Sequence, residues 1–207
     1  MRPDALIFSK GRPAQLELLE RSIRTYAPNI FRNVQVCVSG EHYFEGTVRT
    51  WLYDPRRSAA VCFLVDDDVF IAEAQHLVAC PASYRLGDYD YPFSLDGCVY
   101  RTAEIRDLVH TFSFTNPTQL EAGMDARREA FRGTRAPCHF TEIYPCLVGI
   151  PHNRVSASSN MPTMGGTADE LNARYLAGER ISLDAIVRAV DPDGGAHQNI
   201  VYEWEPR

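Results

Sequence analysis

Three consecutive carboxylates, Asp66, Asp67 and Asp68, follow directly on the apolar run Ala60–Val65. Such a run reads as a buried strand, and charges delivered at its end lose hydration while repelling one another. A compensating cation is expected there. Open α/β sheets bind ligands at the carboxyl ends of their strands, and hard divalent ions choose oxygen ligands, so position and chemistry both point to Mg²⁺ or Mn²⁺ bridging to a diphosphate. If the segment stays extended, Asp66 and Asp68 lie on one side and Asp67 on the other. That makes Asp68 the metal ligand and Asp66 a contact to the metal, to a ribose, or to both. A solvated acidic loop, with Asp68 capping a following helix, would carry the same residues.

The elements that must position this cluster are legible from apolar spacing. Ala5–Ser9 predicts a short buried strand, Lys10-Gly11-Arg12-Pro13 a turn, and Pro13 the first position of a helix with Leu16, Leu19, Ile23 and Tyr26 on one face. Val34–Val38 predicts a second strand, and residues 43–53 a helix stopped by Pro55. With Ala60–Val65 as the third strand, the alternation predicts an α/β fold with a mostly parallel central sheet flanked by helices. Further on, Phe93–Gly97 predicts a short strand ending in a turn, and residues 102–112 a helix. Asn116-Pro117 caps another helix that carries Leu120 and Met124, and Cys146–Ile150 predicts a strand. Thr167 and Glu170 form a capping box for a helix ended by Gly178, and Asp191-Pro192-Asp193-Gly194-Gly195 is a loop before the tail.

The run Phe63–Phe70 resembles the D-x-D motif of GT-A-fold glycosyltransferases, small bacterial family-2-like members in particular. Other segments resemble that group in the same order. Leu6–Pro13 is similar to its first donor-nucleotide loop, and Tyr91–Gly97 to the glycine-containing loop beside the donor sugar. Phe114–Pro117 with Leu120-Glu121 is similar to the helix facing the acceptor. Pro151–Arg154 with Asn160, and Ala196-His197, complete the likeness. The resemblance implies a single GT-A-like (Rossmann-like) domain over residues 1–207. Residues 1–70 would be the nucleotide-sugar-binding half, and 71–207 the acceptor-side half with its tail. It implies a metal-dependent transfer of sugar from a nucleotide diphosphate donor, UDP-sugar by default, to a hydroxyl of a small-molecule or glycan acceptor. It further implies donor contacts from Ser9, Lys10, Arg12, Asp66, Asp67 and Gly97, and metal ligation by Asp68, Asp66 and His197. The chain departs from the pattern in a short stretch between Ser39 and the acidic strand, and in Ala122 where an acidic residue often follows Glu121.

A general base must stand near the acceptor hydroxyl. Glu121 is the first candidate and Asp96 the second. Asp96 also suits donor-sugar hydroxyls, and each residue equally suits an ordinary structural place, at a helix start and in an Asp-Gly turn. Arg12 offers a guanidinium to phosphate, as do Arg85, Arg101 and Arg154 from less telling positions. His110, His139 and His152 read as structural or exposed. Lys10 is the only lysine among 21 Lys and Arg residues, which fits a phosphate contact or an incidental loop position equally.

Composition narrows the alternatives. The 207 residues, 45% hydrophobic and 23% charged, are those of a folded domain of enzyme size. A net charge of −6 argues against nucleic acid and anionic membrane as partners. No run is long enough to span a membrane, and the N-terminal apolar stretch is too short for a signal peptide, so a cytoplasmic location is expected. The six cysteines, at 37, 62, 80, 98, 138 and 146, show no zinc spacing and read as reduced buried thiols. A nucleotidyltransferase would also place carboxylates and a metal at a strand end, but Lys10-Gly11-Arg12 is poor for a triphosphate loop. A non-catalytic nucleotide-sugar-binding protein is the other alternative.

Overall fold

A computed structural model describes residues 2–38, 43–74, 78–79, 93–127, 138–139, 146–151, 166–195 and 197–207. The first half alternates as its spacing predicts: β1 (Asp4–Ser9), α1 (Pro13–Tyr26), β2 (Asn33–Val38), α2 (Phe44–Tyr53) and β3 (Ala60–Val65). It continues through β4 (Asp68–Phe70), β5 (Val78–Ala79), β6 (Val99–Arg101), α3 (Thr102–Val109), α4 (Pro117–Asp125), β7 (Cys138–His139) and β8 (Leu147–Gly149). The last elements are α5 (Ala168–Leu176), β9 (Glu179–Ile181), α6 (Leu183–Ala189) and β10 (Trp204–Pro206).

The fold is α/β. Its main sheet has the order β2-β1-β3-β6-β7-β5, with β1 central to a parallel trio and β6 joining β3 antiparallel. Strands from before and after residue 70 therefore share one sheet. Alternation along β1 and β3 sends Leu6, Phe8, Val61 and Phe63 to one face and Ala5, Ile7, Cys62 and Leu64 to the other. The first face is covered by α2, α3 and α4, through Phe44, Trp51, Ile105 and Leu120; the second by α1, through Leu19 and Ile23. A third cluster joins the other flank of α1 to β4, β8, α5, β9, α6 and the tail. No helix among the described residues is long and apolar enough to cross a membrane.

Local signals explain the helix ends. Pro13 opens α1, the Asn116 side chain accepts a hydrogen bond from the Gln119 amide at the start of α4, and Thr167 and Glu170 cap each other at the start of α5. Cys37, Cys62, Cys98 and Cys146 are all buried.

Two expectations change. Phe93–Gly97 forms successive turns rather than a strand, because Ser94 and Asp96 satisfy each other's polar groups and leave no ladder to join. The helix expected over 102–112 ends at Val109, where Thr111 bonds back to the Leu108 carbonyl through both its amide and its hydroxyl. The expected strand over Val34–Val38 is present as β2; it sits at the sheet edge, leaving Val34 and Val38 about half exposed.

The α4 helix, which carries Glu121, meets its neighbour through Gly123. A Cβ there would overlap the ring of Phe112, which is itself clasped by the Arg127 guanidinium 4.6 Å from its centroid. Gly123→Ala should therefore lose about 1–3 kcal/mol to overpacking despite its better helix propensity. Thermal denaturation should show a lower melting temperature; an unchanged or higher one would mean that the ring swings aside freely.

Candidate active site

The three aspartates do not stay extended. Asp66 and Asp67 form the turn from β3 into β4, and Asp68 is already the first residue of β4. The expected alternation is corrected accordingly: Asp66 and Asp67 both face Arg12, and Asp68 is set apart. Arg12 ends the loop after β1, which lies beside β3, so the two strand ends bring the guanidinium to the acidic turn. It pairs with Asp66 and lies 3.6 Å from Asp67. The other Asp66 oxygen accepts the Lys10 amide at 3.2 Å. Asp66 is fully buried and Arg12 nearly so. Burial works against the Arg12 charge, yet its two aspartate neighbours hold the guanidinium above its ordinary range. Burial pushes Asp67 up to about 6, with Arg12 opposing and Asp66 and Asp96 reinforcing the shift.

Asp68 is fully buried as well, with one oxygen accepting the Val65 amide at 2.9 Å. Its other oxygen has no hydrogen-bond partner among the described residues. Burial, followed by the charges of Asp96 and Asp67, raises its carboxyl well above the usual range.

Asp96 reaches this region from the turns beside β3. Gly97 takes a left-handed conformation, φ 80°, and donates to the Phe63 carbonyl at 2.9 Å. The same loop presents the Leu95 amide to Glu121 Oε1, 3.2 Å away. Glu121 is partly buried, and that burial, together with the charge of Asp96, pushes it up to about 7. His197 completes the group, with Nε2 3.2 Å from Asp96 Oδ2. The structure thus brings together Arg12, Asp66, Asp67, Asp68, Asp96, Glu121 and His197, drawn from across the chain.

Of the remaining expected donor contacts, Ser9 is buried at the end of β1, and Lys10 is exposed in the turn that follows. That turn is held by Asn172 of α5, which donates to the Gly11 carbonyl at 2.9 Å. Arg101 pairs with Glu104 and His110 meets Tyr53 edge to face, so neither joins the cluster. Arg85, Tyr91, Pro92, His152, Asn153, Arg154, Asn160 and Ala196 lie outside the described residues, as does the side chain of His139.

Two residues that spacing alone did not single out hold the tail against the site. Gln198 is buried; its amide N–H donates to the Gly149 carbonyl, and its side chain bonds Asp191 and Gly195. Tyr202 is buried near Asp67, Arg12 and Asp66; burial, followed by Asp67, pushes its phenol up. The sequence carries no signal for either: Gln198 and Asn199 are both polar and Ile200, Val201 and Tyr202 all apolar, so the alternation of burial along this segment does not show in its residue types.

The fit to a divalent cation can be judged from Asp68, whose unpartnered buried oxygen is the donor such an ion requires. Among the described residues no group of three or more acid, histidine or cysteine side chains converges closely enough to hold a metal by itself. The chain matches no protein-family model, no curated protein and no solved structure.

Two outcomes follow from these charges. Removing the guanidinium in Arg12→Met leaves Asp66 buried without its cation, and should cost about 3–5 kcal/mol of stability in urea unfolding; a loss below about 1 kcal/mol would mean that the pair is solvated. Glu121 holds its proton to about 7 when folded, against 4.5 for an ordinary glutamate. Between those values the folded chain binds more protons than the unfolded one, so stability falls as pH rises through that window. Glu121→Gln should therefore gain about 1–2 kcal/mol over wild type between pH 5 and pH 8, allowing for its partial exposure. A pH-independent difference between the two proteins would contradict the assigned shift.

Proposed function

We propose that the chain is a metal-dependent glycosyltransferase with a GT-A-like site, moving sugar from a nucleotide diphosphate donor, by default a UDP-sugar, to an acceptor hydroxyl. The observation that carries this reading is the convergence of Asp68, Asp96, Glu121 and His197 beside an acidic turn whose Asp66 is already paired with Arg12. The resemblance of Phe63–Phe70 to the D-x-D motif supports it further.

Asp68 would hold Mn²⁺ or Mg²⁺ through its unpartnered oxygen, with His197 as the second protein ligand. When bound, the ion would offset the charge that develops on the departing diphosphate. Glu121 suits the base: a carboxyl that titrates near 7 is ionised in useful amount and still basic enough to take the acceptor proton. As that proton moves to Glu121, the acceptor oxygen bonds to the anomeric carbon, and the bond from that carbon to the diphosphate oxygen breaks with its electron pair. Asp96, hydrogen-bonded to Ser94 and His197, is placed to orient sugar hydroxyls and to keep the Glu121 carboxyl basic. Arg12 serves the turn rather than the donor in this arrangement, because its guanidinium is engaged by Asp66.

Calorimetry with UDP and Mn²⁺, followed by hydrolysis and transfer assays over a nucleotide-sugar panel, tests the proposal. Asp68→Asn should abolish metal-dependent nucleotide binding while the chain remains folded. Glu121→Gln should keep donor binding and lower turnover by about 10²–10⁴-fold. Unchanged affinity in Asp68→Asn would overturn the metal assignment, and binding without turnover on any donor would favour a non-catalytic nucleotide-sugar-binding protein.

A further inference from the structure

We propose that Tyr100 is a positioning residue of the site: from the main sheet its phenol grips the Ser94 carbonyl, and so sets where Asp96 stands and where the Leu95 amide meets Glu121. This role rests on the glycosyltransferase reading above and adds to it the residue that fixes the turn carrying its polar groups.

The turn needs an external hold. Phe93–Gly97 joins no ladder, so its backbone is placed by the bonds that leave it. At one end Gly97 donates to the Phe63 carbonyl, and in the middle the Leu95 amide meets Glu121 on α4. Towards the other end Tyr100 Oη donates to the Ser94 carbonyl at 2.7 Å. Tyr100 belongs to β6, lies opposite Val61 of β3, and is buried in the cluster covered by α2, α3 and α4. Its hydroxyl therefore ties the turn to the main sheet.

What Ser94 holds in its turn is the polar centre of the site. Its hydroxyl donates to Asp96 Oδ2 at 3.1 Å and accepts the Asp96 amide at 3.0 Å. The same Asp96 oxygen lies 3.2 Å from His197 Nε2. Hydrogen bonds thus run unbroken from the sheet through Tyr100, Ser94 and Asp96 to the tail. Leu95, between Ser94 and Asp96 in the chain, gives its amide to Glu121. A shift of Ser94 moves both the carboxylate and that amide, and small displacements of polar groups weigh heavily on a reaction that depends on orientation.

Packing alone does not ask for the hydroxyl. The Tyr100 ring stands between Phe63, with centroids 5.8 Å apart, and Phe93, at 6.3 Å with the planes 4° apart. A phenylalanine at 100 would fill the same place without a buried polar group that requires a partner. Burial, followed by the influence of Cys98, pushes the phenol well above its ordinary range, so Tyr100 acts as a donor and not as a base.

Tyr100→Phe keeps the ring contacts and removes only the tie. Thr102→Val is the control: its hydroxyl likewise donates to a backbone carbonyl, that of Ser58, at the end of β3 away from Asp66. With a nucleotide-sugar donor and an acceptor, Tyr100→Phe should lower kcat about ten- to a hundredfold and leave the donor KM unchanged. Amide hydrogen exchange at Leu95 and Asp96 should quicken about tenfold in the folded protein. Thr102→Val should melt below wild type, yet keep its kcat and its exchange rates at those two amides. Wild-type kcat in Tyr100→Phe, wild-type exchange at both amides, or an equal loss of kcat in Thr102→Val would overturn the role and leave the functional reading standing. Absence of turnover by the wild type on every donor would overturn that reading instead, and faster exchange at Leu95 and Asp96 would still assign Tyr100 the placing of the turn.

Discussion

Bringing Asp66, Asp67 and Asp68 to the end of a strand with apolar neighbours concentrates negative charge where water is scarce, and the buried guanidinium of Arg12 is what the fold sets against it. The pair requires β1 and β3 to be adjacent and parallel, since only then do the loop after Ser9 and the turn after Val65 meet. It also shapes the chain locally. With Asp66 drawn down onto Arg12 and the Lys10 amide, the backbone turns at Asp67 and re-enters a strand at Asp68. That strand pairs with β8 instead of continuing the main sheet.

What Arg12 pairs with determines what is left over. Asp66 and Asp67 share the guanidinium, whereas Asp96 lies within electrostatic reach of both Asp68 and Glu121. Burial and the charge of Asp96 raise the carboxyls of Asp68 and Glu121. Such groups hold protons, a cation or a ligand more readily than isolated carboxylates, which is how strained electrostatics becomes chemistry. His197 moderates the charge from one side through Asp96, and it does so because the tail is fastened by Gln198 to Gly149 and to the loop at Asp191.

The tail also has a structural office. Residues 197–202 run beside β8, bury alternate side chains in the cluster shared with α1 and α6, and end in β10, which pairs with β9. The site is assembled from the sheet, from the turns around Asp96, from α4 and from this last segment, so its geometry depends on packing across the entire order of elements.

The sequence by itself determined the elements of the first half almost to the residue, because the period of apolar positions, Pro13 and the strand-ending aspartates are local signals that tertiary packing did not overrule. It also determined the helix caps at Asn116 and Thr167, where a side chain bonds an amide three positions away. The residues that cluster around the acidic turn could be named from residue type, yet which of them pair with which could not. That Arg12 would be spent on Asp66, that Asp67 would turn toward it rather than away, and that Phe93–Gly97 would coil to carry Asp96 all depend on contacts between residues far apart in the chain. The same holds for His197. Its place beside Asp96 exists only once β4, β8 and the tail lie side by side, because strand register is set by the packing of both faces and not by any one strand.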